Sequence, residues 1–179
     1  MRRPSPRMCA RSARRSSATG QETRVPETEA ELRIGVRFAL SADPGELFAD
    51  ARAVEAAGAD GIWVDASDGD PYVLLAAFAA VTWRVRLVAK GAPYGSPYAV
   101  GQETCRRLAR GRFVEAEELQ ENWIHAQFPN SRDIWRTTRR AALDAGATGI
   151  VLPNDPRLID ILRNPDTDDD RSDLNIAVG

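Results

Sequence analysis

Histidine occurs once in these 179 residues, at His125, and cysteine only twice. Cys9 and Cys105 are far apart and differ in context, so neither a disulfide framework nor a zinc site is indicated, and a reducing, cytoplasmic setting is the expectation. No stretch approaches the roughly 18 apolar residues that span a bilayer, so no membrane role is expected. A phosphate loop, a nucleophile elbow and the paired glycines of a dinucleotide fingerprint are all missing. Asp166, Asp168 and Asp170 alternate as in a calcium loop, but the glycine and closing glutamate of such a loop are absent, leaving a solvated acidic loop. Basic charge is scarce where it would matter for nucleic acid. The net charge is −2, yet residues 1–31 hold seven arginines against four glutamates, which leaves the remainder at −5. A nucleic-acid partner is therefore not expected of the folded part.

That amino-terminal stretch, 1–31, is rich in Ser, Arg and Pro and nearly devoid of large apolar residues. It cannot bury enough surface to offset its ordering entropy and reads as a disordered basic tail. Its first twenty residues lack acid, as organellar transit peptides do, but the apolar face of such a helix is poor.

From residue 32 to 179 the chain reads as one α/β domain. RIGVRFAL (33–40) and DGIWVD (60–65) are β-rich runs, joined by a helical stretch that starts at Asp43-Pro44 and stops at Gly58. On that helix Leu47, Ala51 and Val54 share one face, while Glu46, Asp50 and Glu55 are expected in water. A second helix, Pro71 to Thr82, carries Val73, Leu74, Leu75, Phe78 and Val81 and reads as well buried. It leads into a third strand, Trp83 to Ala89. Alternation of this kind implies parallel strands joined by right-handed crossovers.

Tyr98 to Ala109 reads as a helix and Arg112 to Ala116 as a short strand. Glu117 to Gln127 is polar and helix-prone, with Trp123 as its only large anchor. A further helix is expected from Arg132 to Ala145, with Ile134, Thr138, Ala141 and Ala145 on one face. A strand follows at Gly149 to Leu152, then a short helix at Arg157 to Arg163, and a last strand at Asp173 to Val178. This makes about six strands, where a closed parallel barrel has eight in about 250 residues. The expected fold is an incomplete (β/α)8, TIM-barrel-like parallel sheet.

The phrases RIGVRFAL, ELFADARAVEAAGADGIWVDAS, DPYVLLAAFAAVTWRVRLVAKG and PYAVGQETCRRLARGRF, in that order, resemble the amino-terminal portion of the luciferase-like monooxygenase superfamily. AALDAGATGIVLPNDPRLIDILRNPD is similar to the late helix, strand and helix of some members. The resemblance implies a flavin- or deazaflavin-dependent oxidoreductase on a (β/α)8 barrel, with FMN or coenzyme F420 as cofactor and a small molecule as substrate. Members often carry histidines after the second strand and before the third helix. Here those places read Asp65-Ala66-Ser67 and Gly95-Ser96-Pro97. The alternative is therefore a non-catalytic, shortened barrel that covers its open sheet edges by self-association or by pairing with a full-length relative.

Sites on parallel sheets form at the carboxyl ends of the strands. That rule selects Ser41, Asp65, Lys90, Gly91, Glu115 and Asn154, of which Ser41, Asp65, Lys90, Gly91 and Asn154 are the candidate cofactor-binding set. Gly91 matches the place where the family backbone approaches the isoalloxazine ring, and a glycine permits that approach. Lys90 suits an anionic ring edge or phosphate, or plain solvent. Asp65 reads first as a cap for the turn that follows it. His125 has no acid or nucleophile partner in the sequence and reads as a surface or packing residue. Cys105 lies among arginines that would lower its pKa, or is a semi-buried structural thiol.

Overall fold

The computed structural model describes residues 32–39, 43–91 and 97–164. The basic tail, Ser41, Gly95, Ser96, the acidic aspartates and the strand expected at 173–178 lie outside the described residues.

Six parallel strands form one sheet: β1 (Arg33–Phe38), β2 (Gly61–Asp65), β3 (Arg86–Lys90), β4 (Phe113–Glu115), β5 (Trp123–His125) and β6 (Gly149–Pro153). Their spatial order is β4-β3-β2-β1-β6-β5. Among the described residues five α-helices accompany them: α1 (Pro44–Ala56), α2 (Pro71–Val81), α3 (Ala99–Ala109), α4 (Arg132–Asp144) and α5 (Leu158–Arg163). The sheet is a half-barrel. Its curl brings Trp123 on the edge strand β5 to within 5.4 Å, ring to ring, of Trp63 on β2, which stands three places away in the sheet.

Local chemistry sets most boundaries. Asp43 caps α1 by accepting from the Gly45 and Glu46 amides, with Pro44 in the first turn, and Asp70 with Pro71 does the same for α2. Gly58 and Gly146 close α1 and α4 at φ +102° and +70°, a region that side chains other than glycine adopt at a cost. In the Gly-Arg-Phe turn, Gly111 (φ +83°) aims Arg112 back at α2. There its guanidinium donates to the Ala79, Thr82 and Val85 carbonyls and satisfies that helix end.

One face of every strand meets the helices. Ile34, Val36 and Phe38 of β1, Ile62 and Val64 of β2, Leu87 and Ala89 of β3, and Ile150 and Leu152 of β6 pack with Leu47, Val54, Leu75 and Phe78. The alternation expected of β1 and the doubly covered run expected of β2 are both found.

Several expectations are corrected. Trp83 to Val85 does not belong to the third strand. The Glu55 carboxylate accepts from the Trp83, Arg84 and Val85 amides and holds that stretch in a bend, so Glu55 is an anchor and not a solvated residue. Asp50 is likewise engaged, by Asn154. Val73 faces outward at 63% exposure, because the buried arc of α2 runs through Tyr72, Leu74, Leu75, Phe78 and Ala79. On α4 the buried residues are Trp135 and Ala142. The expected common face of Ile134, Thr138 and Ala141 is found, and it lines a groove of about 480 Å³ with Ile124 and Ile150.

The largest correction lies at 117–127. The chain there forms no helix. After a 3-10 turn at Ala116–Glu118 it runs extended and becomes β5. Among the described residues the sheet thus reaches six strands through Trp123–His125, a segment in which no strand was expected. Cys105 is fully buried, and that burial pushes its thiol up to about 12 despite the neighbouring arginines. It is a packing residue.

Candidate functional site

The other face of the sheet is concave and is built differently. Strand alternation places Arg33, Gly35 and Arg37, then Gly61, Trp63 and Asp65, then Arg86, Val88 and Lys90 on it, with Trp123 and His125 from β5 and Gly149 and Val151 from β6. Two indoles lie across three glycines. A Cβ on Gly35 would stand 2.6 Å from Trp63 Nε1, and one on Gly149 would stand 2.4 Å from the Trp123 ring. Glycine is required at both places by close approach.

Residues 116–122 join β4 to β5, which lie at opposite edges of the sheet. Parallel strands force this connection to run back from carboxyl ends to amino ends. Seven residues reach at most about 25 Å, so the short path crosses the hollow of the sheet. The contacts trace that path. Glu117 Oε1 accepts from the Gly91 amide at the carboxyl end of β3, at 3.1 Å. Ala116 and Leu119 then pack on Trp63, Val88 and Val151. Glu121 accepts from Arg33 Nη1 (2.6 Å) and Arg86 Nη1 (2.7 Å) at the amino ends, and from Trp123 Nε1 (2.8 Å). Burial opposes the charge on Glu121, but these three donors outweigh it and hold the carboxyl down to about 2. Residues 116–122 form an acidic strap through the hollow where the remaining strands of a barrel would face.

At the carboxyl ends of the strands, three of the candidate residues come together. Asp65 Oδ1 accepts from the Ser67 amide at 2.9 Å, the expected turn cap, and Asp65 Oδ2 lies 3.9 Å from Lys90 Nζ. The Ser67 bond is the largest cause that holds this carboxyl below its ordinary value, with Lys90 and Arg37 adding to it. Gly91 follows at φ +74°, exposed, with its amide turned to Glu117. Asn154 points elsewhere: its side chain donates to Asp50 on α1 at 2.7 Å, and its backbone amide donates to the Arg37 carbonyl. Glu115 points to the helix side, buried at 7% exposure, where Tyr72 and Gln102 donate to Oε1. Burial raises the Glu115 carboxyl above its ordinary value.

Two residues of this mouth were not singled out as site candidates from the sequence. Arg37 is exposed on the concave side at the end of β1, with no side-chain partner among the described residues. His125 stands edge-on to Trp63 at 5.4 Å. Burial is the largest cause that lowers its pKa, followed by the charges of Lys90 and Arg37, with Asp65 opposing. Strand parity could have placed Arg37. His125 required the recognition of β5.

No protein-family model matches the chain, and no curated protein is similar to it. Among the described residues there is no group of three or more potential metal-binding side chains and no helix long and apolar enough to cross a membrane.

Proposed function

We propose that this chain is a shortened barrel of the luciferase-like type that acts as a non-catalytic binding or subunit protein and not as a flavin-dependent oxidoreductase. The strand order supports the barrel lineage. In a closed barrel, chain neighbours are sheet neighbours and the last strand returns to the first, and β4-β3-β2-β1-β6 follows that rule. The reading that no flavin ring is held rests on one observation. The hollow beside Gly91, where the family's ring would approach, holds the chain's own strap, from Glu117 on the Gly91 amide to Leu119 on Trp63. The edge of β5, which pairs only with β6 among the described residues, and the adjoining apolar groove along Ile124, Ile134 and Ala141 are what a subunit would cover.

A second reading, the flavin- or deazaflavin-dependent oxidoreductase, draws on the left-handed Gly91 with Lys90 beside it. Titration of the full chain with FMN and with F420, following cofactor fluorescence together with thermal unfolding, separates the two. The expected result is no saturable change in ring fluorescence and no rise in Tm. Saturable binding at micromolar concentration with a raised Tm would reverse the assignment. Light scattering at matched concentrations then tests the subunit role, for which a strict monomer that captures no partner barrel is the adverse outcome.

A further inference from the structure

We propose that the carboxyl-end mouth of the concave face is a binding site for a small phosphate-type oxyanion, formed by the Gly91 amide, Lys90, Arg37 and His125, with the Glu117 carboxylate as its displaceable internal occupant.

Four features of the mouth carry this. A carboxylate already sits on the Gly91 amide at 3.1 Å, so the chain itself records that an oxyanion is held there. The amide is available because Gly91 turns away at φ +74° just past the end of β3. Lys90 and Arg37 come from β3 and β1 onto the same concave side: Arg37 is the cross-strand neighbour of Trp63, against whose ring His125 of β5 stands at 5.4 Å, and Lys90 pairs with Asp65, two residues beyond Trp63, so the three basic groups gather around one strand end. The opposing acid, Asp65, is already engaged by the Ser67 amide and by Lys90. Arg37 is exposed and, among the described residues, has no ion pair or side-chain hydrogen bond to a carboxylate, and a guanidinium so placed suits the tetrahedral oxygens of a phosphate.

Glu117 is suited to leave. Its side chain is exposed and is held by the Gly91 amide, whereas Glu121 further along the strap is held by two arginines and an indole. A ligand arriving at the mouth therefore exchanges with Glu117 while Glu121 and Leu119 keep the strap in place. This site is independent of the subunit reading, since it needs neither a flavin ring nor a partner chain.

The chain contains one histidine, so the imidazole proton signal of the intact protein is a single reporter placed at this mouth. Inorganic phosphate is titrated at fixed pH, with sodium chloride at matched ionic strength as the control. The expected result is a saturable shift of the His125 signal toward its protonated position with phosphate and not with chloride, because a bound anion offsets Lys90 and Arg37. Glu117→Gln replaces the charged internal competitor by a neutral, weaker acceptor and should tighten phosphate binding on the order of tenfold, the factor of about one charge-assisted bond. Arg37→Gln combined with Lys90→Gln should weaken it by a similar factor. All three residues are exposed or half-exposed, and circular dichroism verifies folding. The absence of a saturable shift in both wild type and Glu117→Gln would overturn the proposal, as would a shift that persists undiminished in the double variant. Riboflavin, which carries no phosphate, should leave the signal unmoved. Movement with riboflavin but not with phosphate would overturn the oxyanion site and at the same time favour the flavin reading.

Discussion

The two faces of one sheet are filled by opposite means. The helix side is packed by Val, Ile, Leu and Phe from strands and helices in a continuous apolar layer, in which Val36, Phe38, Ile62, Leu75, Phe78 and Leu152 are fully buried. Among the described residues the concave side contributes Trp63, Val88 and Val151 as buried apolar groups, and the remaining volume is taken by Trp123 and by a strap that carries a glutamate at each end. A sheet that closes on itself fills its interior with side chains from all its strands. Among the described residues this sheet has six strands, and a connection rich in carboxylates fills the space that further strands would face. The helix side therefore holds most of the buried apolar surface, and the concave side keeps polar groups at its mouth.

The comparison can be broken first where the effect is largest. Phe78→Ala removes a ring that packs edge-on against Phe38 and Phe48. It should cost about 3–5 kcal/mol in urea unfolding, against a smaller loss for Trp123→Ala on the half-buried side. Equal losses would mean that the two faces share the burden.

Gly149→Ala places a methyl 2.4 Å from the Trp123 ring and should cost about 1–3 kcal/mol through overpacking. Its combination with Trp123→Ala should be less than additive, because the clash disappears with the ring. Strict additivity in that cycle would remove the indole-on-glycine account.

Glu121 sharpens the contrast through pH. Its folded pKa, about 2, lies below its ordinary 4.5. The stability it contributes is therefore present above about 4.5 and is lost as pH falls toward 2. Glu121→Gln should destabilise by about 1 kcal/mol at neutral pH and low salt, less at high salt, and should flatten that acid window. An unchanged acid limb in the variant would show that the strap is not anchored at this end.

The smallest effect belongs to Glu115, on the helix side. Burial raises its folded pKa, so stability is greatest below the ordinary value near 4.5 and declines as pH rises through the raised one. Glu115→Gln keeps partners for Tyr72 and Gln102 while removing the charge. It should shift neutral-pH stability by less than about 1 kcal/mol and reduce the pH slope above 4.5. A steeper slope in the variant would contradict the raised carboxyl.

Much of the helix side was legible in the chain. Its strands carry period-2 or continuous apolar runs, and its helices are bracketed by Asp-Pro starts and glycine stops, which are signals written within a few residues of each other. The concave side was legible in parts. Asp65, Lys90 and Gly91 follow from the rule that sites gather at strand ends, but Asn154 and Glu115 obey the same rule and turn instead to Asp50 and to Tyr72. The stretch 117–127 misled because its glutamates favour helix locally, while three residues, Trp123–His125, are too few to show a strand's period.

What the sequence alone determined is the α/β alternation, the parallel sheet, the start and stop of α1 and the buried residues of β1, β2 and α1, because each depends on local pattern and burial. Only the tertiary structure decided that β5 stands beside β6, that residues 116–122 pass through the hollow, and that His125 faces Trp63 with Arg37 and Lys90 nearby. The physical reason is the curl of the sheet. It brings together groups from strands far apart in the chain, and no periodicity within a single segment encodes that approach.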